Sequence, residues 1–333
     1  MAFTESEVIA LLAQVFASSH PNLEVGIGDD AAVIRTTNRT VITTDMAVEG
    51  VHFRLEWSSA FEIGRKITAA NLADVFSMGA KPTFLVVAVS LTGNEDLEWI
   101  EKLAKGIAFE ANLVGAAVVG GDLAKGAAVT IAITALGEVE TAILRSGAQV
   151  GDQIYSSNLP GWSRAGLAIL ERGLAIETES AKRAVAAFRA PTLNYAYAAN
   201  LTQATAMSDV SDSLMTQAEQ MAAASKVKFN LDFNLFQAAA DFAELNTLSE
   251  ELSISIADLV LGGGEDHVFL ATGQDLPGLL IGQVSAGTGL TVLGNEKAPD
   301  TWRHFNSKVK LTSYFAGLQA RGTYVLTRSC TSY

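Results

Sequence analysis

The 333-residue chain has a single cysteine, Cys330, three places from the end of the sequence. A disulfide framework within one chain and a Cys-rich zinc site are both excluded, and a reducing, cytoplasmic location is the expectation. Proline is scarce, at 6 against 28 glycines, so tight turns and close backbone approaches fall to glycine. Positive charge is short too: 23 Lys and Arg stand against 36 Asp and Glu, a net charge of −13. That balance excludes binding nucleic acid or an anionic membrane through a broad basic surface. It leaves room for a nucleotide, because bound metal ions invert the local field. Long apolar runs are missing. Residues 84–91, FLVVAVSL, fall far below the roughly 20 residues of a membrane span. The opening MAFTESEVIALLAQVF lacks a basic n-region and reads as an amphipathic helix, with Thr4 and Glu7 at capping-box spacing. No G-x-x-x-x-G-K-[ST] segment occurs, which excludes a P-loop kinase, and the four histidines form no metal-ligand cluster by spacing.

What the chain does have is aspartate in short, glycine- or hydroxyl-rich segments. They are Gly28-Asp29-Asp30, Thr43-Thr44-Asp45, Asn71-Leu72-Ala73-Asp74, Gly120-Gly121-Asp122 and Asp209-Val210-Ser211-Asp212, with Gly263-Gly264-Glu265-Asp266 as an acidic sixth. Two carboxylates about 4 Å apart repel by roughly 4 kcal/mol at an effective dielectric of about 20. If these segments converge, a cation belongs among them. A hard divalent ion with oxygen ligands suits the donor set, and Mg²⁺ typically brings phosphates with it, which points to phosphoryl transfer. Each segment has a bland alternative. Gly26-Ile27-Gly28-Asp29-Asp30-Ala31 matches a loose dinucleotide fingerprint, but a β-like run follows it where that motif requires a helix. Thr43-Thr44-Asp45 ends an apolar strand as a turn or cap, or turns its oxygens on one cation. Asn71 and Asp74 share a helix face, and Asp74 is either solvated or a ligand directed into a site. Gly120-Gly121-Asp122 is a hairpin turn or a close backbone approach to a ligand. Ser211 or Asp212 caps the following helix, a role compatible with phosphate binding at the helix start.

Hydrophobic periodicity gives alternating strands and helices, an α/β or α+β pattern. Strands are expected at 23–25, 31–34, 40–44, 84–91, 116–119 and 129–139, with helices at 59–78 and 96–113. The turn-rich residues 145–152 mark a boundary, giving domains 1–145 and 146–320 and a peripheral tail 321–333. In the second half, strands are expected at 153–157, 204–207, 227–232, 267–271 and 279–284, the last opening a hairpin to Gly294. Helices are expected at 164–172, 178–188, 213–224 and 254–261. His20 and His304 look structural; His52 and His267 lie beside acidic segments.

Taken in order, GIGDDAAVI, VITTDMAVEGVHF, NLADVFSMGAKP, GGDLAKG, LRSGAQVGDQIY, AGLAIL, SDVSDS and LGGGEDHVFL resemble the thiamine-monophosphate kinase family, over about residues 4–310. That family belongs to the aminoimidazole ribonucleotide synthetase-like group, which also includes selenophosphate synthetases and the hydrogenase maturation protein HypE. The resemblance implies two α/β domains, the N-terminal one dimerising through its sheet, and ATP-dependent conversion of thiamine monophosphate to thiamine diphosphate by direct in-line transfer. By similarity, several Mg²⁺ ions would be held by Asp30, Thr43, Thr44, Asp45, Asp74, Asp122, Asp209 and Asp212, with Asp45, Asp122 and Asp212 central to catalysis. Gly121, Asp122, Arg145 and Ser211 match ATP-contacting positions, and His52, Glu265 and Trp302 match positions that hold the thiamine moiety. The expected partners are ATP, thiamine monophosphate and a second copy of the chain. The sequence departs from the family at Ser213, where glycine is usual, and in residues 157–163, which replace a more glycine-rich loop. A sister enzyme with another acceptor is one rival. This N-terminus lacks the reactive Cys and Lys of selenophosphate synthetases, and the tail lacks the terminal Pro-Arg-Ile-Cys of HypE. A silent nucleotide-binding protein is the rival of another class.

Overall fold

The computed structural model describes residues 4–27 and 31–295. Helix α1, Glu5–Val15, starts at a reciprocal cap: Thr4 Oγ1 accepts from the Glu7 amide, and the Glu7 carboxylate accepts from the Thr4 amide. Strands β1, Leu23–Val25, and β2, Val33–Ile34, pair antiparallel. Strand β3, Arg39–Val48, is followed by helix α2, Ala60–Ser77, strand β4, Lys81–Leu91, helix α3, Leu97–Asn112, and strands β5, Ala117–Lys125, and β6, Thr130–Val139.

These four long strands form one sheet in the order β3-β6-β4-β5, with only β4 and β5 parallel. Helices α2 and α3 cover one face. Ile63, Leu72, Val75, Leu103 and Ile107 pack there against Leu85, Val87, Ile131 and Ile133. Burying each such side chain contributes roughly 1.5–3 kcal/mol. The alternation of the strands leaves Ile42 and Met46 on the opposite face, 66% and 57% exposed.

The second half is built on strands β7, Gln153–Ser156, β8, Ala206–Asp209, β9, Lys228–Asp232, β10, Phe269–Gly273, β11, Leu279–Ser285, and β12, Gly289–Leu293. They lie in the order β12-β9-β11-β7-β10-β8. The helices here are α4, Trp162–Arg172, α5, Glu179–Arg189, α6, Tyr195–Ala199, α7, Leu214–Ser225, α8, Phe242–Glu251, and α9, Ile256–Gly262, with a 3₁₀ turn at Phe233–Ala238. Their core gathers Trp162, Leu214, Met221, Phe229, Phe236 and Leu259. Helix α2 is apolar on more than one stripe, as befits a helix buried between layers. Its Ala69, Ala73 and Phe76 pack away from the four-stranded sheet, against Leu193, Tyr197, Met207 and Phe269. It therefore links the two sheets.

Several expectations are corrected. Strand β3 does not end at Asp45; it continues to Val48, because Asp45, Met46 and Ala47 pair with Ile133, Ala132 and Ile131 of β6. Gly120-Gly121-Asp122 is not a turn, since β5 runs through it to Lys125 alongside β4. No hairpin joins 279–284 to Gly294: β12 crosses over to pair parallel with β9. Neither Ser211 nor Asp212 caps α7; Ser213 does, its Oγ accepting from the Thr216 amide at 3.1 Å. Helices α6 and α8 had no expectation in the sequence.

Candidate active site

Three carboxylates meet where β3, α2 and β8 converge. Asp45 is held by its backbone: its amide donates to Asn71 Oδ1 at 3.0 Å, and Asn71 Nδ2 donates to the Ile67 carbonyl at 2.9 Å. Asn71, fully buried, is thus the bracket that fixes β3 on α2. One turn on, Asp74 accepts from Thr43 Oγ1 at 2.7 Å. Asp209, at the end of β8 and buried, lies 3.0 Å from His267 Nδ1. Burial, and then the charges of Asp209 and Asp45, push Asp74 up to about 7, against the Thr43 hydrogen bond and the His267 charge. Burial disfavours the charged His267 ring, but the hydrogen bond and charge of Asp209 outweigh it, and Glu265 and Asp45 add to the rise. The largest influences on Asp74 include no lysine or arginine. Among the described residues no group of three or more acidic, His or Cys side chains is arranged to hold a metal ion as it stands. The cluster is crowded with oxygen donors and short of positive charge, which suits a hard divalent cation with room for further oxygen ligands.

The loop after β8 and the loop before β10 form the wall beside this cluster. Glu265 N donates to the Ser211 carbonyl at 2.7 Å, and His267 N to the Val210 carbonyl at 3.0 Å. The approach is so close that a Cβ on Gly264 would sit 2.1 Å from the Asp212 carbonyl oxygen, so only glycine fits. Glu265 and His267 both adopt left-handed backbone, at φ 66° and 48°. Such conformations cost of order 1–3 kcal/mol each and persist where the surroundings over-determine them. Between them, Asp266 accepts from the amides of Gly161 (2.8 Å) and Ser163 (2.9 Å) at the start of α4. Burial pushes Asp266 up to about 6 in spite of those bonds. Glu265 itself meets Lys66 of α2, Nζ to Oε2 2.8 Å. Burial works against the Glu265 charge, yet Lys66, with help from His267 and His52, leaves this carboxyl below its ordinary value.

The expected site residues thus divide. Thr43, Asp45, Asp74 and Asp209 come together, and the His52 charge acts on Glu265, so these two substrate candidates are neighbours. His52 Nδ1 accepts from the Val48 amide at 3.1 Å just past β3. Ser211 and Asp212 lie in the wall loop, where Ser211 Oγ accepts from Gln217 Nε2 at 3.3 Å. Thr44 alternates to the other face of β3, donating to the Ile133 carbonyl at 3.0 Å. Asp122 is also elsewhere. It pairs with Ala88, which pairs with Ala132, which pairs with Met46, so it sits three strands from β3, exposed, on the face opposite Asp45. Gly121 has a packing reason to be glycine: a Cβ would stand 2.0 Å from the Val87 carbonyl oxygen. Arg145 Nη1 donates to Gln220 Oε1 at 3.0 Å. Asp30 and Trp302 lie outside the described residues. Sequence reasoning missed Lys66, Asp266 and the role of the Asn71 side chain. The available signal for the first was weak, since Lys66 follows Arg65 in a helix that also carries Glu62, Asn71 and Asp74.

Residues 28–139 match the family model described as AIR synthase related protein, N-terminal domain. The chain is 35% identical over 320 residues to thiamine-monophosphate kinase of Corynebacterium glutamicum, covering 90% of this chain and 93% of that one. The Mycobacterium tuberculosis thiamine-monophosphate kinase is 35% identical over 266 residues, 79% of this chain and 77% of its own. The chain belongs to the thiamine-monophosphate kinase family. It is a kinase. Among solved structures, AaThiL complexed with AMPPCP and TMP superposes with a TM-score of 0.75 at 28% identity, covering 90% of this chain and 97% of that one. No helix among the described residues is long and apolar enough to cross a membrane.

Proposed function

We propose that the chain transfers the terminal phosphoryl group of ATP directly, in line, to the phosphate of thiamine monophosphate, giving thiamine diphosphate and ADP. The observation that carries this reading is the Asp45–Asp74–Asp209 cluster, where burial, and then the charges of Asp209 and Asp45, raise Asp74 to about 7. Phosphoryl transfer asks a protein for positioning and charge neutralisation more than for covalent chemistry. Bound Mg²⁺ supplies that neutralisation, on the nucleotide and on the transferring group. Asp45, Asp74 and Asp209 would hold it, with Thr43 orienting Asp74 and with Asp30, Thr44, Asp122 and Asp212 as the other proposed ligands. Gly121, Asp122, Arg145 and Ser211 are proposed to bind ATP; Arg145 would add a charge-assisted phosphate contact. His52, Glu265 and Trp302 are proposed to hold the thiamine moiety, an acidic and an aromatic group suiting a cationic thiazolium. The acceptor phosphate is already ionised at neutral pH, so the chain needs no general base. The relative's complex with AMPPCP and TMP supports this pair of substrates.

Because Asp122 stands on the exposed face with Ile42 and Met46, its proposed role belongs with a homodimer that covers this face. A division into domains 1–145 and 146–320 fits the two sheets, which draw their strands from residues 39–139 and 153–293. A cytoplasmic location completes the reading. The test is a product assay with ATP, Mg²⁺ and thiamine monophosphate, resolving thiamine phosphates and ADP by chromatography. Equal amounts of thiamine diphosphate and ADP are expected. ATP binding without thiamine diphosphate would replace the acceptor, and absence of ATP binding would overturn the reading.

A further inference from the structure

Lys66 is an anomaly on α2. Ile63 and Ile67 beside it serve the apolar core, yet Lys66 is a lysine only 7% exposed. An ammonium so buried needs partners on every side, and it has three. Nζ donates to the Phe188 carbonyl at 3.0 Å, lies 2.8 Å from Glu265 Oε2, and sits 3.9 Å above the Phe188 ring. All three partners belong to the second half of the chain, whereas α2 packs on the four-stranded sheet of the first. Two turns further along the same helix, Asn71 and Asp74 hold Asp45 and Thr43 of β3. Helix α2 therefore holds the strand that carries Asp45 and, about two turns earlier, the loop that carries Glu265.

The Glu265 end needs that tie. Its residue is in left-handed backbone, and its loop is pressed on residues 210–212 through Gly264. The loop also carries His267, on which the charges of Asp209, Glu265 and Asp45 all act. One ammonium supplies both the counter-charge and the anchor. Glu265 stays a third exposed along its side chain while Lys66 is covered, so Lys66 stands behind Glu265 and away from the open side of the site.

We propose that Lys66 is a positioning residue: it fixes Glu265 at a set distance from the carboxylate cluster, so that the cationic ring of thiamine monophosphate is held in register with the phosphoryl group it is to receive. This rests on the proposed function and assigns Lys66 a part in acceptor binding with none in nucleotide binding. The two claims are separable by experiment. If wild-type enzyme makes no thiamine diphosphate, both fall. If it does, Lys66→Met is measured with each substrate varied in turn, beside Glu265→Gln and the double variant.

Lys66→Met is expected to raise KM for thiamine monophosphate about tenfold or more, with KM for ATP changed less than twofold. The double variant is expected to match Glu265→Gln alone, because Lys66 acts only through that carboxylate. Lys66→Arg keeps the charge and is expected to recover most of the acceptor affinity; it also stands in should Lys66→Met fail to fold. Equal effects on both substrates, additivity in the double variant, or a KM for thiamine monophosphate that moves as much in Lys66→Arg as in Glu265→Gln would reduce Lys66 to a structural tie and overturn the proposal.

Discussion

Helix α2 contributes to two buried acidic sites that are built in opposite ways. At one, Glu110 of α3 is 1% exposed, and its two oxygens are taken by Arg65 Nε at 2.8 Å and Tyr195 Oη at 2.7 Å. At the other, Asp74 has a single short hydrogen bond from Thr43 and shares its space with two more carboxylates. Both are carboxyl groups taken out of water next to the same helix. Glu110 is compensated within the chain: a cation and a phenol meet it, and burial with the Glu110 charge nearby raises the Tyr195 hydroxyl so that it remains a donor. Asp74 is compensated by nothing the chain supplies in full. Buried charge as such therefore does not mark a functional site. What marks it is a deficit of positive charge that the fold leaves open, and it is there that the metal ion is proposed.

The comparison can be broken by removing one partner from each site. The largest effect is expected for Asp45→Ala, which takes an oxygen donor from the deficient cluster. Turnover of thiamine monophosphate should fall about a thousandfold, in the range seen when a group that stabilises transition-state charge is removed, while the melting temperature holds or rises. A kcat within threefold of wild type would remove Asp45 from the proposed metal site. Glu110→Ala should do the reverse. It leaves the half-buried Arg65 without its carboxylate and removes a buried hydrogen-bonded charge, a loss of about 1–3 kcal/mol, visible in denaturant unfolding, with kcat at low temperature close to wild type. A kcat that drops as far as in Asp45→Ala would erase the distinction between the sites. Tyr195→Phe is the mildest change. It strips one hydrogen bond from a buried carboxylate, about 1–3 kcal/mol of stability, and should leave both KM values alone.

Much of this arrangement was legible in the chain and some was not, for definable reasons. The acidic segments were visible because carboxylate, hydroxyl and glycine recur in short runs, and the face shared by Asn71 and Asp74 follows from helical spacing alone. That Asp45 and Asp74 meet needed only a strand followed by a helix packed on it. The placement of Asp122 was hidden because it depends on a register. Strand β5 carries an extra residue where Leu85 pairs with Val118 and Val86 with Gly120, so Val119 is bulged. One inserted residue turns every later side chain to the other face, and Asp122 with them. The parallel crossover of β12 onto β9 was hidden too, since the Gly287 and Gly289 turn reads locally like a hairpin. Lys66 was passed over because its partners, Phe188 and Glu265, are 122 and 199 residues away in sequence, and no local pattern announces a contact of that span.

The most direct test of the central claim, that the Asp45–Asp74–Asp209 cluster lacks a cation, is folding stability against pH, with and without Mg²⁺, for wild type and Asp74→Asn. Asp74 titrates at about 7 in the folded protein against 3.8 ordinarily. Between those values the unfolded chain gives up this proton first, so the Asp74 contribution falls as pH rises through that window and is level above it. The difference between Asp74→Asn and wild type without Mg²⁺ should therefore grow from near zero at pH 4 to roughly 4 kcal/mol in favour of the variant at pH 8. Millimolar Mg²⁺ should raise wild-type stability at pH 8 and raise the variant less. A difference that stays flat across the window, together with an equal Mg²⁺ response in both proteins, would contradict the claim.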